Sequence, residues 1–216
     1  MASISILRPV SQGSSLRWLV LGFAERAAGL ALFALALPVI LGSAAIIRLV
    51  SGRSPWIAHR RVGWQGSVLW MLKLRTMWSG ETRPTGWVEY IDDATGPGRK
   101  RAGDPRVTGR FARFCRRHSI DELPQLWHVV SGEMSLVGPR PVTLAELRSY
   151  YGNDAAEILE VKPGLAGLWQ VSGRNRLTYA ERRRLDLTFV RERSIRMYFA
   201  ILLRTVPEVF GGENTW

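Results

Sequence analysis

Two adjacent carboxylates, Asp121 and Glu122, stand near the start of the stretch His118 to Pro141, and an arginine, Arg140, closes it inside a Gly-Pro-Arg-Pro turn. The flanking prolines fix the backbone on either side of Arg140, and a pre-positioned guanidinium suits phosphate oxygens. Ser119 and Glu122 have the Ser-x-x-Glu spacing of a capping box, while Pro124 would instead make Leu123 the cap. Either way the two carboxylates fall within one turn of a helix start, whose positive end favours their ionised forms. Two readings stay open at this point. The pair caps a helix, or it works on a metal-bound phosphate.

Other candidates are weaker. Val68 to Met77 alternates as a strand, which would project Lys73 and Arg75 from one face. A helical count puts Arg106, Arg110, Arg113 and Arg117 on one side, with Val107, Phe111 and Phe114 opposite. His59, His118 and His128 show no metal-ligand spacing and read as structural or solvated. The paired Asp92 and Asp93 fall in residues 79 to 103, which are rich in Gly, Pro and Thr and read as an irregular, solvated loop. Cys115 is the lone cysteine; it excludes an internal disulfide and reads as a small core residue. No P-loop, dinucleotide fingerprint or Gly-x-Ser-x-Gly elbow occurs.

The elements that must position these groups begin with an apolar stretch. From Ala27 to Ile47 no residue is charged, and as a straight helix these 21 residues would run about 31 Å, enough to cross a bilayer. Pro38 near the middle removes a helix hydrogen bond, and Gly42 and Ser43 follow it. Arg17 and Arg26 precede the stretch; Arg48, Arg53, Arg60 and Arg61 follow it. Basic residues on both flanks suit a helix that dips into one leaflet, breaks at Pro38 and returns to the cytoplasmic side. A straight span and a cleaved signal peptide are the competing readings. The sequence from Arg53 through Trp56 and Trp64 reads as a segment along the headgroups. The net charge of +12 favours polyanions: anionic lipid, phosphorylated substrates or nucleic acid. Residues 143 to 151 and 155 to 160 read as helical, Lys162 to Asn175 as a Gly-rich binding loop, and Tyr179 to Val206 as one or two amphipathic helices.

Asp121-Glu122-Leu-Pro-Gln-Leu-Trp-His-Val, followed by Gly-Glu-Met-Ser-Leu-Val-Gly-Pro-Arg140-Pro, resembles the bacterial sugar transferase family, the monotopic polyprenyl-phosphate phosphoglycosyl transferases. Lys73-Leu-Arg75-Thr-Met, Asp104-Pro-Arg-Val-Thr and Lys162-Pro-Gly-Leu-Ala-Gly-Leu-Trp-Gln-Val-Ser-Gly-Arg174-Asn175 resemble further motifs of that family, in the same order, from about Glu25 to Pro207. Three positions depart from its pattern. Ala27-Ala28 stands where Phe-Asp is usual, Leu37 where Ser precedes the breaking proline, and an acidic residue is missing near Arg196.

The resemblance implies transfer of a sugar-1-phosphate from a UDP-sugar to a polyprenyl (undecaprenyl) phosphate, with release of UMP, at the first membrane step of exopolysaccharide or glycoconjugate synthesis. It implies Asp121 as nucleophile of a covalent phosphosugar intermediate, Glu122 as its dyad partner, and Mg²⁺ held at Asp121. Lys73, Arg75, Arg116, Arg140, Arg174 and Asn175 would contact phosphate or substrate. The expected fold is α/β, mainly α: residues 1–25 as tail and membrane approach, 26–50 as a re-entrant helix broken at Pro38, and 51–216 as a catalytic domain with amphipathic interfacial helices. That domain would lie on the cytoplasmic face of the bacterial inner membrane. The partners are the bilayer, the UDP-sugar and the polyprenyl phosphate; nucleic acid is not expected, and a homo-oligomer stays open. The competing class is a non-catalytic basic module binding membrane or nucleic acid.

Overall fold

The computed structural model describes residues 16–77, 86–92, 109–173 and 176–211. The tail 1–15, Asp93, the Asp104 to Thr108 motif with Arg106 and Val107, and the candidate contacts Arg174 and Asn175 lie outside them.

The chain opens with one long helix, α1 (Leu16–Ser51), which starts well before the uncharged stretch and contains Pro38. Its length and composition suffice to cross a membrane. Leu30, Leu35, Val39, Leu41 and Leu49 are exposed, Leu35 at 77% and Leu49 at 84%. An apolar surface that extensive on a helix is a membrane-seeking face rather than a core face. The opposite side packs on the body along its length. Leu21 joins Val137, Phe189, Tyr198 and Ile201; Phe33 meets Trp127; Ala44 and Ile47 pack with Leu74. The early start is explained by Glu25. Its Oε1 accepts from the Ser135 hydroxyl, the Leu136 backbone N–H and the Tyr198 hydroxyl, so a charged residue inside the helix is fully engaged.

Beyond α1 the fold is mostly helical around two small sheets. β1 (Trp56–Val62) is the centre of the larger one. It pairs antiparallel with β2 (Val68–Leu74) and parallel with β3 (Val88–Ile91). Two expectations are corrected here. Trp56 to Val62 is no headgroup segment: Ala58 is fully buried and Arg61 is 7% exposed, its guanidinium donating to the Arg60 carbonyl at 2.7 Å. Two arginines in seven residues mask the strand pattern. Nor is the 79–103 region wholly irregular, since β3 lies within it. Only a partner distant in sequence, Trp56↔Val88 through His59↔Ile91, makes it a strand.

Next come α2 (Arg110–Arg117), a 3₁₀ turn (Ile120–Gln125), α3 (Leu126–Ser131) and β4 (Ser135–Val137). A mixed helical segment follows: α4 (Leu144–Glu146), one π turn, one 3₁₀ turn and α5 (Ala155–Ile158). The expected Gly-rich loop carries instead β5 (Gly164–Ala166), parallel to β4, and α6 (Leu168–Val171). Two helices complete the body, α7 (Tyr179–Glu192) and α8 (Ile195–Gly211). In α2 the buried stripe is Ala112 and Cys115, with Phe111 partly covered. Phe114, expected on the core face, is 50% exposed.

Candidate active site

The dyad is placed by a chain reversal. α2 ends at Arg117, and Ser119 takes a left-handed conformation (φ 54°, ψ 23°), unusual for a residue with a Cβ. The expected capping box is absent: the Ser119 side chain caps nothing, and the turn begins with the Glu122 N–H donating to the Ser119 carbonyl at 3.0 Å. The turn is 3₁₀ because Pro124 has no N–H to give Ile120 in an α-helical bond. Asp121 and Glu122 lie in its first turn, as the sequence predicts.

Their surroundings differ. Asp121 is 8% exposed. It neighbours Cys115, whose thiol is pushed up to about 11 by burial and by the Asp121 charge, and which also meets Ser43 of α1. The buried carboxylate is thus one side chain removed from the membrane helix. Glu122 is more open and accepts from Lys73 Nζ at 2.6 Å. The adjacent Gln125 side chain is buried, and its Nε2 makes no hydrogen bond among the described residues.

Lys73 therefore joins the dyad, while Arg75 does not project beside it. Arg75 is 4% exposed, donates to the Ser54 carbonyl at 2.7 Å, and pairs with Glu89 of β3. It ties three segments together, and its role is structural. β2 ends at Leu74, so the alternation that would align the two cations stops between them. Arg116 lies partly buried in the last turn of α2, just before the Ser119 reversal.

His128, read as structural, is buried; its Nε2 accepts from the Leu72 N–H at 3.1 Å. The ring proton is then on Nδ1, which faces Glu133 Oε2 at 2.8 Å. Burial pushes the Glu133 carboxyl up, but hydrogen bonds from His128 and Ser131 hold it below its usual value. This pair fastens α3 to β2 next to Lys73, a role that spacing alone does not signal.

Arg140 occupies a second region. Its loop is clamped: the Gly138 N–H donates to the Ala166 carbonyl and the Gly164 N–H to the Pro139 carbonyl, both at 2.9 Å. A side chain at Gly164 would collide with the backbone of Gly138, so the close approach requires glycine. The guanidinium lies 5.3 Å from the centre of the buried Trp169 ring. Arg182 of α7 stands 5.1 Å from the same ring. Close to both arginines Asp186, 1% exposed, accepts from the Tyr151 hydroxyl at 2.9 Å. Burial pushes its carboxyl up to about 7, against the opposing effects of that hydroxyl, the Arg140 backbone N–H and the two guanidiniums. Sequence reasoning missed Arg182, Asp186 and Glu25, because their partners lie in distant segments.

Among the described residues no three His, Cys, Asp or Glu side chains converge as a metal cage. The architecture joins a helix long and apolar enough to cross a membrane to a carboxylate dyad, with Asp121 buried and Glu122 more open, and to a cationic, aromatic surface. The chain belongs to the bacterial sugar transferase family, whose model matches residues 17–212. It is 42% identical over 198 residues to the UDP-galactose-lipid carrier transferase of Erwinia amylovora, covering 87% of this chain and 39% of that protein. It is 40% identical over 190 residues to the exopolysaccharide production protein ExoY of Sinorhizobium fredii, covering 83% and 80%. With the UDP-glucose:undecaprenyl-phosphate glucose-1-phosphate transferase of Caulobacter vibrioides it shares 37% identity over 193 residues, covering 86% and 67%.

Proposed function

We propose that this chain transfers a sugar-1-phosphate from a UDP-sugar to undecaprenyl phosphate, as an early membrane step of exopolysaccharide or glycoconjugate synthesis. The observation that carries the reading is the buried Asp121, set in a tight turn beside the membrane helix and next to the Lys73–Glu122 pair. The relatives' names support the substrate classes.

A carboxylate oxygen of Asp121 attacks the phosphorus that bears the sugar. The phosphoanhydride bond breaks, UMP leaves, and an aspartyl phosphosugar forms. An oxygen of undecaprenyl phosphate then attacks the same phosphorus, releasing the carboxylate and giving the diphosphate-linked product. Lys73 holds Glu122 in place beside the nucleophile, and Arg140 and Arg116 draw the donor's phosphates. The adjacent carboxylates fit Mg²⁺, which takes one or two carboxylates and completes its shell with water and phosphate oxygens. When bound, the ion would offset the diphosphate charge and let a carboxylate approach.

The membrane arrangement follows the same reading: α1, helical through Pro38, would bend there within one leaflet so that both its ends return to the cytoplasmic face of the inner membrane. Support comes from Glu25 before Pro38 and Ala44 and Ile47 after it, which all pack on the same body. Cysteine labelling should find both ends of residues 27 to 47 on the cytoplasmic side; opposite sides would establish a straight span.

Membranes containing the protein, incubated with a UDP-sugar panel, Mg²⁺ and undecaprenyl phosphate, should release UMP. Release of UDP would mean ordinary glycosyl transfer. Salt-sensitive DNA binding without transfer would favour a basic binding module.

A further inference from the structure

Near Arg140 two carboxyls are buried, Asp186 at 1% and Glu146 at 5% exposure. Glu146 is committed to a reciprocal cap with Thr143, accepting from its N–H at 2.9 Å. The half-buried guanidiniums of Arg140 and Arg182 both lie against the indole of Trp169. Arg182 also lies 5.5 Å from the ring centre of Tyr179. At the rim Tyr179 and Tyr150, both partly open to solvent, stack face to face with ring centres 4.2 Å apart and an interplanar angle of 5°. Burial and the neighbouring Arg140 both lower the proton affinity of Arg182, a sign of two cations held close. Glu146 and Asp186 offset this in part, and burial raises the Asp186 carboxyl.

We propose that Arg140, Arg182 and Trp169 with the Tyr150–Tyr179 stack form the binding cradle for the nucleoside diphosphate portion of the donor. The two guanidiniums grip the diphosphate oxygens, and the outer face of the tyrosine stack receives the base. This rests on the transfer reading above and adds Arg182 and the tyrosine pair to it. Phosphate could also come from the lipid acceptor, but the placement favours the nucleotide. Trp18 of the membrane helix is met by Arg193, past the far end of α7 and about 16 Å along the axis from Arg182. An exposed aromatic pair also matches a nucleobase, which the polyprenyl phosphate lacks.

The test measures UDP affinity and the two Michaelis constants on the full chain in lipid nanodiscs. Arg182→Gln is expected to weaken UDP binding by about tenfold or more and raise the donor KM similarly, leaving the undecaprenyl phosphate KM unchanged. Tyr179→Leu should weaken UDP but not inorganic pyrophosphate, because only UDP carries a base. If Arg182→Gln does not fold, Arg182→Lys and Tyr179→Leu carry the test; the lysine keeps charge, loses the planar fork, and should show a smaller loss of UDP affinity. Unchanged UDP affinity in the folded Arg182 variant and in Tyr179→Leu overturns the cradle, as does a rise in the lipid KM alone. If wild type transfers sugar phosphate while these variants bind UDP normally, the cradle falls and the transfer reading stands. If wild type releases no UMP yet loses UDP binding on Arg182→Gln, the cradle stands and the transfer reading falls.

Discussion

The turn that carries Asp121 and Glu122 and the cradle around Arg140 solve opposite electrostatic problems. In the turn Asp121 is buried next to an apolar helix, and Lys73 is engaged with Glu122. In the cradle two cations share one indole, and burial raises the carboxyl of the neighbouring Asp186. A buried carboxylate is poor at attracting an anion and well placed to attack one that is delivered. A cationic, aromatic surface attracts the anion and has no nucleophile of its own. The difference assigns chemistry to the first region and grip on the donor to the second. Substitutions in the turn should therefore act on kcat, and those in the cradle on the donor KM.

Four outcomes would break or sharpen that division. The largest effect is expected for Asp121→Asn, which keeps the shape and removes the nucleophile. Turnover should fall roughly a thousandfold or more in a UMP-release assay, with UDP binding intact. Lys73→Met comes next. It removes the ion pair to Glu122 and should lower kcat by about a hundredfold with little change in donor KM; a pure KM effect would move Lys73 into the donor-gripping region. For Arg140→Gln the expected sign is reversed, a donor KM raised about tenfold with a smaller change in kcat.

The smallest effect concerns Asp186 and pH. Its folded carboxyl sits at about 7, above the usual value of about 3.9 for an unfolded chain. Between these values the folded state holds a proton that the unfolded state has lost. Its contribution to stability is therefore full below about pH 4 and is lost as pH rises through about 7. Asp186→Asn removes this dependence. In thermal melts between pH 5 and pH 8, the variant should gain on wild type as pH rises; parallel curves would show that the carboxyl titrates in its ordinary range.

Local sequence made part of this legible. The apolar helix, the helical turn under the dyad, the stiff loop of Arg140 and the burial of Cys115 all follow from composition and spacing. What escaped depends on partners far along the chain. β3 becomes a strand only beside β1, and Arg75 turns structural only because Glu89 reaches it from a segment that reads as loop. Ser119 and Glu122 have capping-box spacing, yet Pro124 and the left-handed Ser119 make a 3₁₀ turn instead. Glu25 looks out of place in an apolar helix until Ser135, Leu136 and Tyr198 meet it. Arg182 reads as one of a crowd of surface arginines. Packing against Trp169 and Tyr179 is what marks it out among them.

The most direct test of the central claim is to look for the sugar phosphate on Asp121 itself. Purified protein would be incubated with a UDP-sugar and Mg²⁺ but no lipid acceptor, quenched, digested and measured by mass spectrometry. The account predicts one added sugar-phosphate mass on the peptide containing Asp121, absent in Asp121→Asn and discharged by undecaprenyl phosphate. Turnover with no adduct on that peptide, or an adduct placed on Glu122, would contradict it.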